Sequence, residues 1–269
     1  MYDLVDIGAN LAHRRFYADR DRVIEAAGAA GVRRIVITGA HLGSSKAAVA
    51  LARTRPGMLY ATAGIHPHEA RSWSREALAQ IRELAQEPAS VVRAIGECGL
   101  DFDRDFSPRP AQEAAFEEQL ALAAEIGLPV FLHERAAHGR FLAILKNARP
   151  RLRAAVVHCF TGTGAELDAY LALDLHIGIT GWINDDRRGV GLRDLVPRIP
   201  AGRLMVETDA PFLRPRDAPM PERRNEPALL PLVLAAVARA AGRPAAQVAV
   251  ETTATAEAFF GLAPPAQAL

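Results

Sequence analysis

VVRAIGE, residues Val91 to Glu97, is an apolar run of strand length that ends on a carboxylate. Three other runs repeat its form: LPVFLH (128–133) ends on His133, AAVVH (154–158) on His158 and RLMVETD (203–209) on Asp209. Apolar runs of this length, separated by amphipathic stretches, predict buried strands of a parallel sheet. At the carboxyl ends of such strands the chain leaves the packed core, and side chains from distant parts of the sequence converge on one cavity. A single polar residue ending a strand is an ordinary boundary. Four in matching positions, all of types that bind divalent ions, point to one metal site.

Working outward from these runs, four more strand candidates appear: LVDIG (4–8), RRIVIT (33–38), LYATAG (59–64) and LHIGIT (175–180). Helical patterns separate nearly all of the eight. The clearest is RPAQEAAFEEQLALAAEIG (109–127), where Phe116, Leu120 and Ala124 share a face and Gly127 ends the run as a C-terminal cap would. DRVIEAAGAAG ends at Gly31, and SSKAAVALARTR can be capped by Ser44 or Ser45. Eight strands alternating with helices favour an α/β fold of the (β/α)₈ TIM-barrel type, with the tail from Glu226 supplying the last helix and an extra one. No linker, low-complexity tract or internal repeat interrupts the chain, so residues 1–269 are expected to form a single domain.

At 269 residues, half of them hydrophobic, the chain can build one large core. Its longest apolar stretch, Leu229 to Ala238, contains a proline and is far shorter than the roughly 20 residues of a membrane span. The N-terminus begins directly on a strand-like segment, which places the protein in the cytoplasm. A formal charge of +1 gives no global attraction to a polyanion, so contact with nucleic acid would have to be local. Arg187 with Arg188, Arg214 with Arg216, and Arg223 with Arg224 fall in predicted loops where phosphates could be met, although a solvated loop is the simpler reading of each pair. Cys98 and Cys159 each follow a proposed ligand, so strand alternation turns them away from the barrel interior as packed thiols.

Glu97 offers an anionic oxygen, while His133 and His158 offer imidazole nitrogens, a mixture suited to Zn²⁺, Mn²⁺ or, less strongly, Mg²⁺. Asp209 can be a ligand or the base that accepts a proton from water. Past the third strand, His66 precedes a proline and is nearer the strand end than His68, so it is the candidate donor to a phosphate or leaving oxygen; His68, His41 and His138 read as surface or supporting residues. Asp101, in the acidic run CGLDFDRDF, can order its loop or orient a ligand.

Taken in order, TAGIHPHEA, AIGECGLDFDRDF, PVFLHERAAHGRF, VHCFTGT, GITGW, ETDAPFL and RRNEP resemble the successive signatures of the TatD family of metal-dependent hydrolases, from about residue 4 to residue 261. The resemblance implies an amidohydrolase-like barrel that cleaves DNA with a divalent metal, commonly as a 3′-to-5′ exonuclease on single strands. It implies metal or catalytic roles for Glu97, His133, His158 and Asp209, a catalytic role for His66, and support or substrate contact for Arg135 and Asn225. One departure stands out. Where most members carry Asp-x-His-x-His on the first strand, this chain has Asp6-Ile7-Gly8-Ala9-Asn10, so a second ion would be weakly held or absent, with Asn10 left to meet water or substrate. The expected activity is therefore metal-dependent hydrolysis of DNA phosphodiesters, possible on RNA as well, with one or two ions per site. The alternatives are a metal-dependent deacylase or amidohydrolase acting on aminoacyl-tRNA or a small acyl substrate, and a metal-binding scaffold without catalysis.

Overall fold

Parallel pairing runs unbroken from β1 (Leu4–Ala9) through β2 (Val32–Ile37), β3 (Leu59–Ala63), β4 (Val92–Asp101), β5 (Val130–Arg135), β6 (Ala155–Val157) and β7 (His176–Ile179) to β8 (Leu204–Val206). The ring closes where Ala9 bridges Ala210 in parallel and the Asp209 amide donates to Gly8 O at 2.8 Å. These features belong to a computed structural model that describes residues 2–219 and 224–262; Arg223 of the last arginine pair lies outside them. The expected (β/α)₈ barrel is the observed fold.

Seven helices join successive strands: α1 (Arg20–Ala29), α2 (Leu42–Ala52), α3 (Arg75–Gln86), α4 (Arg109–Ile126), α5 (His138–Ala148), α6 (Gly164–Ala172) and α7 (Val190–Leu195). The tail adds α8 (Leu230–Ala241) and α9 (Ala245–Phe260). Local chemistry sets several of their ends. Gly127 terminates α4 with φ 72°, a left-handed conformation that costs glycine least. Thr163 and Glu166 form a reciprocal capping box on α6. On α2 the cap is His41 rather than either expected serine: its Nδ1 accepts from the Ser44 amide while Ser44 Oγ accepts from the His41 amide. Ser44 is thus the helical partner in the box, one turn inside the cap.

Two apolar clusters result. The larger fills the layer between strands and helices. The smaller lies inside the barrel, with Val5, Ile7, Val36, Tyr60, Ala94, Phe131, Val156 and Met205 facing one another and Phe259, Phe260 and Leu262 from the end of α9 completing it. That extra helix therefore stops the barrel at the end opposite the strand termini that carry the polar residues. Each such large side chain, fully buried, contributes about 1.5–3 kcal/mol. Among the described residues no single helix is long and apolar enough to cross a membrane.

Arg34 of β2 is fully buried, and its guanidinium reaches Glu257 of α9 at 2.5 Å and Asp3 at 3.3 Å. This cation ties the closing helix to the first two strands. We predict that Arg34→Ala lowers unfolding free energy by about 3 kcal/mol, the low end of what breaking a buried pair costs, because both carboxylates keep contact with water. An unchanged midpoint in denaturant titration would contradict this role.

Candidate metal and catalytic site at the barrel mouth

Glu97 does not end β4 but sits within it, at a bulge. The register with β5 slips between Gly96 and Cys98, so Glu97 has no partner residue of its own, and its amide instead donates to Gly39 O at 2.8 Å. Gly96 makes this possible: with φ +140°, any Cβ there would lie 2.2 Å from Phe131 O. The bulge turns the Glu97 side chain toward three histidines on neighbouring elements.

Those histidines meet it at one atom. Glu97 Oε1 lies 2.8 Å from His158 Nε2, 3.0 Å from His133 Nδ1 and 3.3 Å from His66 Nε2. The His68 amide donates to His66 Nδ1 at 3.1 Å, which leaves Nε2 as the nitrogen facing the carboxylate. His133 Nε2 is buried without a hydrogen-bond partner of good geometry, Asp101 Oδ2 standing 3.5 Å away. A carboxylate and three imidazoles, with a buried nitrogen left over, are the donor set of a transition-type divalent cation. The ligand atoms of His66, Glu97 and His133 all lie within 4.8 Å of one another. His66, expected to act on the phosphate or leaving oxygen, is thus packed among ligand-type atoms.

Electrostatics agree with this picture. Burial pushes the Glu97 carboxyl up, but the His158 and His66 imidazoles and hydrogen bonds from His133 and His158 outweigh it and hold the group well below the usual carboxylate range. For His158 burial opposes the charged form, and Glu97 and Glu207 overcome it to raise the imidazole well above its ordinary value. His66 goes the other way, lowered to about 4 chiefly by burial, with His133 and His68 adding repulsion against the pull of Glu97. His133 is raised as well, burial being overcome by hydrogen bonds to Asp101 and Glu97, so the carboxylates favour positive charge where a cation would sit.

Asp209 lines the same cavity as that cluster. It adopts φ 53°, a left-handed conformation that costs a non-glycine residue of order 1–3 kcal/mol and persists only where surrounding bonds impose it. Those bonds are visible: the Asp209 amide donates to Gly8 O, and Asn10 Nδ2 donates to Asp209 Oδ1 at 3.0 Å. Burial, moderated by His158 and reinforced by Glu97 and Glu207, raises its carboxyl to about 7. Asn225, expected at the substrate, is instead fully buried, with its Nδ2 donating to Thr208 O and Phe212 O on either side of Asp209. It braces the β8 turn and does not reach the cavity. Arg224 does likewise, pairing with Asp19 and Glu226.

Sequence reasoning passed over Glu207, which is fully buried at the centre of the site. Its Oε1 accepts from the Cys159 amide at 2.6 Å and its Oε2 lies 3.4 Å from His158 Nδ1, orienting that ring from behind. The carboxylate fills the space where a first-strand side chain would stand, since a Cβ on Gly8 would be 2.5 Å from Glu207 Oε2. The space beside Gly8 is therefore occupied by a carboxylate from β8's end and is not open. A readable signal existed: Glu207 is two residues before Asp209, and glycines on β1 and β7 leave room for it.

Around this floor lies a cavity of about 510 Å³, lined among others by Asn10, His66, Glu97, His133, His158 and Asp209. Asp101 does both things expected of it: Oδ1 accepts the amides of Asp103 and Arg104, and Oδ2 contacts His68 Nε2 at 2.6 Å. His68 and His41 line the cavity too, whereas His138 contacts Tyr170 away from it. Arg135 and Arg104 stand at the rim. Cys98 is packed in the outer core as expected, but Cys159 faces the mouth, because its φ of 47° breaks the strand alternation.

Residues 5–261 match the sequence profile of the TatD related DNase family. The 3′-5′ ssDNA/RNA exonuclease TatD of Erwinia tasmaniensis is 53% identical over 261 residues, covering 96% of this chain and all of that protein. The enzyme of the same name from Enterobacter lignolyticus is 52% identical over 97% of this chain and all of its own length. Among solved structures, a TatD homologue from Escherichia coli K12 superposes with a TM-score of 0.88 at 28% identity, covering 97% of this chain and 99% of its own. An engineered lactonase with organophosphate hydrolysis activity shares the fold at a TM-score of 0.66 and 13% identity, covering 96% of this chain and 95% of its own.

Gly8 and Glu207 are predicted to be coupled. Gly8→Ala should cost about 1–3 kcal/mol of stability by overpacking, and less in a Glu207→Ala background, where the clashing oxygen is gone. Equal costs in both backgrounds, measured by denaturant unfolding, would show that Glu207 does not occupy the Gly8 space.

Proposed function

We propose, since the chain belongs to the TatD related DNase family, that it is a metal-dependent nuclease removing nucleotides from the 3′ end of single-stranded DNA or RNA. The observation that carries this reading is the convergence of three imidazole nitrogens within 3.3 Å of Glu97 Oε1 on the floor of an open cavity. The names of relatives at 52–53% identity supply the substrate class and polarity.

Glu97, His66, His133 and His158 would hold the divalent ion; the donors suit Zn²⁺ or Mn²⁺ and, less strongly, Mg²⁺. Bound there, such an ion neutralises charge on a phosphodiester and makes a water easier to deprotonate. Asp209, with its carboxyl raised to about 7, is matched to taking up that proton near neutral pH. Asn10 fixes one of its oxygens, and Asn225 and Gly8 hold the turn from which it projects. Glu207 keeps His158 aimed at Glu97. Arg104 and Arg135, which line the cavity and lie near Asp103, would be the guanidinium groups available to the strand's remaining phosphates. The protein is assigned to the cytoplasm, acting on nucleic acid as a single domain.

Digestion of a 5′-labelled single-stranded oligonucleotide tests the proposal. Products should shorten from the 3′ end with Mg²⁺ or Mn²⁺ and not with EDTA. Asp209→Asn should lower kcat by about 10²–10⁴-fold, the contribution of a positioned base, and Glu97→Gln should abolish turnover with the fold intact. Activity retained by both variants, or release of an amino acid from aminoacyl-tRNA without nucleotide release, would overturn it.

The sign of the pH dependence follows from the same carboxyl. The active form is the carboxylate, so the rate should fall as pH drops through a midpoint at or below about 7, the bound cation favouring the charged form and moving the midpoint down. An acidic limb unchanged in Asp209→Asn would show that another group accepts the proton.

A further inference from the structure

Exposed aromatic rings are costly, and their placement here is not scattered. The large hydrophobics most exposed among the described residues include two phenylalanines, Phe106 at 58% and Phe212 at 46%, and both line the cavity that holds Glu97. Phe106 stands in the loop after β4 and Phe212 in the turn after β8, half the barrel apart in strand order. The rings therefore flank the mouth from two sides.

Each ring is held by the residues that build the site. Phe106 packs against His68 at 4.7 Å between centroids and 62°, and His68 is itself fixed by Asp101 at 2.6 Å. The Phe212 amide donates to Asp209 O at 3.0 Å, its carbonyl accepts from Asn225, and its ring meets His13 at 5.7 Å and 69°. These are anchored aromatic surfaces presented to solvent in a cavity that Arg104 and Arg135 also line, both guanidinium groups lying near Asp103, at 3.8 and 2.9 Å. Exposed aromatic faces on two sides of one cavity, with guanidinium groups on the side of Phe106, suit one ligand class in particular, a single strand whose bases stack and whose phosphates meet cations.

Building on the nuclease reading above, we infer that Phe106 and Phe212 are base-stacking platforms, one on each side of the mouth, and that single-strand selectivity arises from them. A base stacked on each ring leaves the backbone between them crossing the mouth over Glu97. In a duplex both faces of an internal base are covered by its neighbours, so no face is free for either ring. DNA and RNA present the same base faces, so stacking does not discriminate by sugar.

The test uses the full chain with saturating Mg²⁺ and 5′-labelled oligonucleotides that differ only in their last two residues, adenosine or abasic. The wild type should show a lower KM for the adenosine end. Phe106→Ala and Phe212→Ala should each raise that KM by about 5- to 150-fold, the loss of one base–aromatic stack, with kcat much less affected, and should shrink the difference between the two ends. Phe106→Tyr and Phe212→Tyr, which keep the ring, should restore it, and Tyr17→Ala, which removes an exposed ring elsewhere, should leave it in place. A wild type indifferent to the bases, alanine variants that still discriminate, or a loss confined to kcat would overturn the inference. If the wild type digests neither oligonucleotide, the nuclease reading fails first and this one with it, a result visible before any variant is made.

Discussion

One carboxylate oxygen, Glu97 Oε1, receives three imidazole nitrogens from separate elements of the barrel within 3.3 Å, and the rest of the site is arranged around that contact. An anion this deeply buried would be expelled or protonated without partners. Here His158, with a hydrogen bond from His133, holds it charged, and Glu97 in turn raises His158, so these two buried groups stabilise each other's charged forms. The geometry depends on a bulge that only glycine at position 96 permits, and on Glu207 fixing the far side of the His158 ring. Removing the carboxylate would leave three buried imidazoles without the anionic partner they share. Replacing it by an amide keeps the shape but removes the charge that draws a cation.

The barrel separates stability from chemistry along its axis. At one end, α9 plugs the interior with Phe259 and Phe260 and is tied down through Arg34. At the other, buried polar groups and left-handed residues such as Cys159 and Asp209 accumulate, each of which costs stability locally. Asn225, Asn10 and Asp6 offset that cost with side-chain hydrogen bonds to the same turn, Asp6 accepting from the Thr208 amide and hydroxyl. The rim then carries what the floor lacks, arginines and exposed rings able to meet a long anionic polymer. With a net charge of +1, contact with a polyanion rests on local groups such as Arg104 and Arg135 and not on the field of the whole chain.

The strand runs, their order and the barrel were legible because buried parallel strands write themselves as continuous apolar segments of similar length. His133 and His158 were legible for the same reason, as polar residues ending such segments. Glu97 was located but its setting was not: the paired glycines 96 and 99 within an apolar run carried a bulge signal that a plain strand-end reading left unused. Glu207 was hidden because its importance comes from space left by Gly8 and Gly178 on other strands, a relation between residues about 200 and 30 positions apart. The role of Asn225 could not be separated from substrate contact without knowing that both its amide hydrogens are taken by backbone carbonyls. Cys159 departed from strand alternation because the chain had already left β6 and turned through a left-handed residue.

The central claim is that Glu97 gathers the imidazoles into a cation site, and metal binding to the folded chain addresses it more directly than turnover does. Mn²⁺ titration by calorimetry and by electron paramagnetic resonance, on wild type and on Glu97→Gln with folding checked by circular dichroism, would decide it. The account predicts saturable Mn²⁺ binding with proton release in the wild type and at least a tenfold weaker affinity in the variant. Mn²⁺ binding of equal strength in both proteins would contradict it.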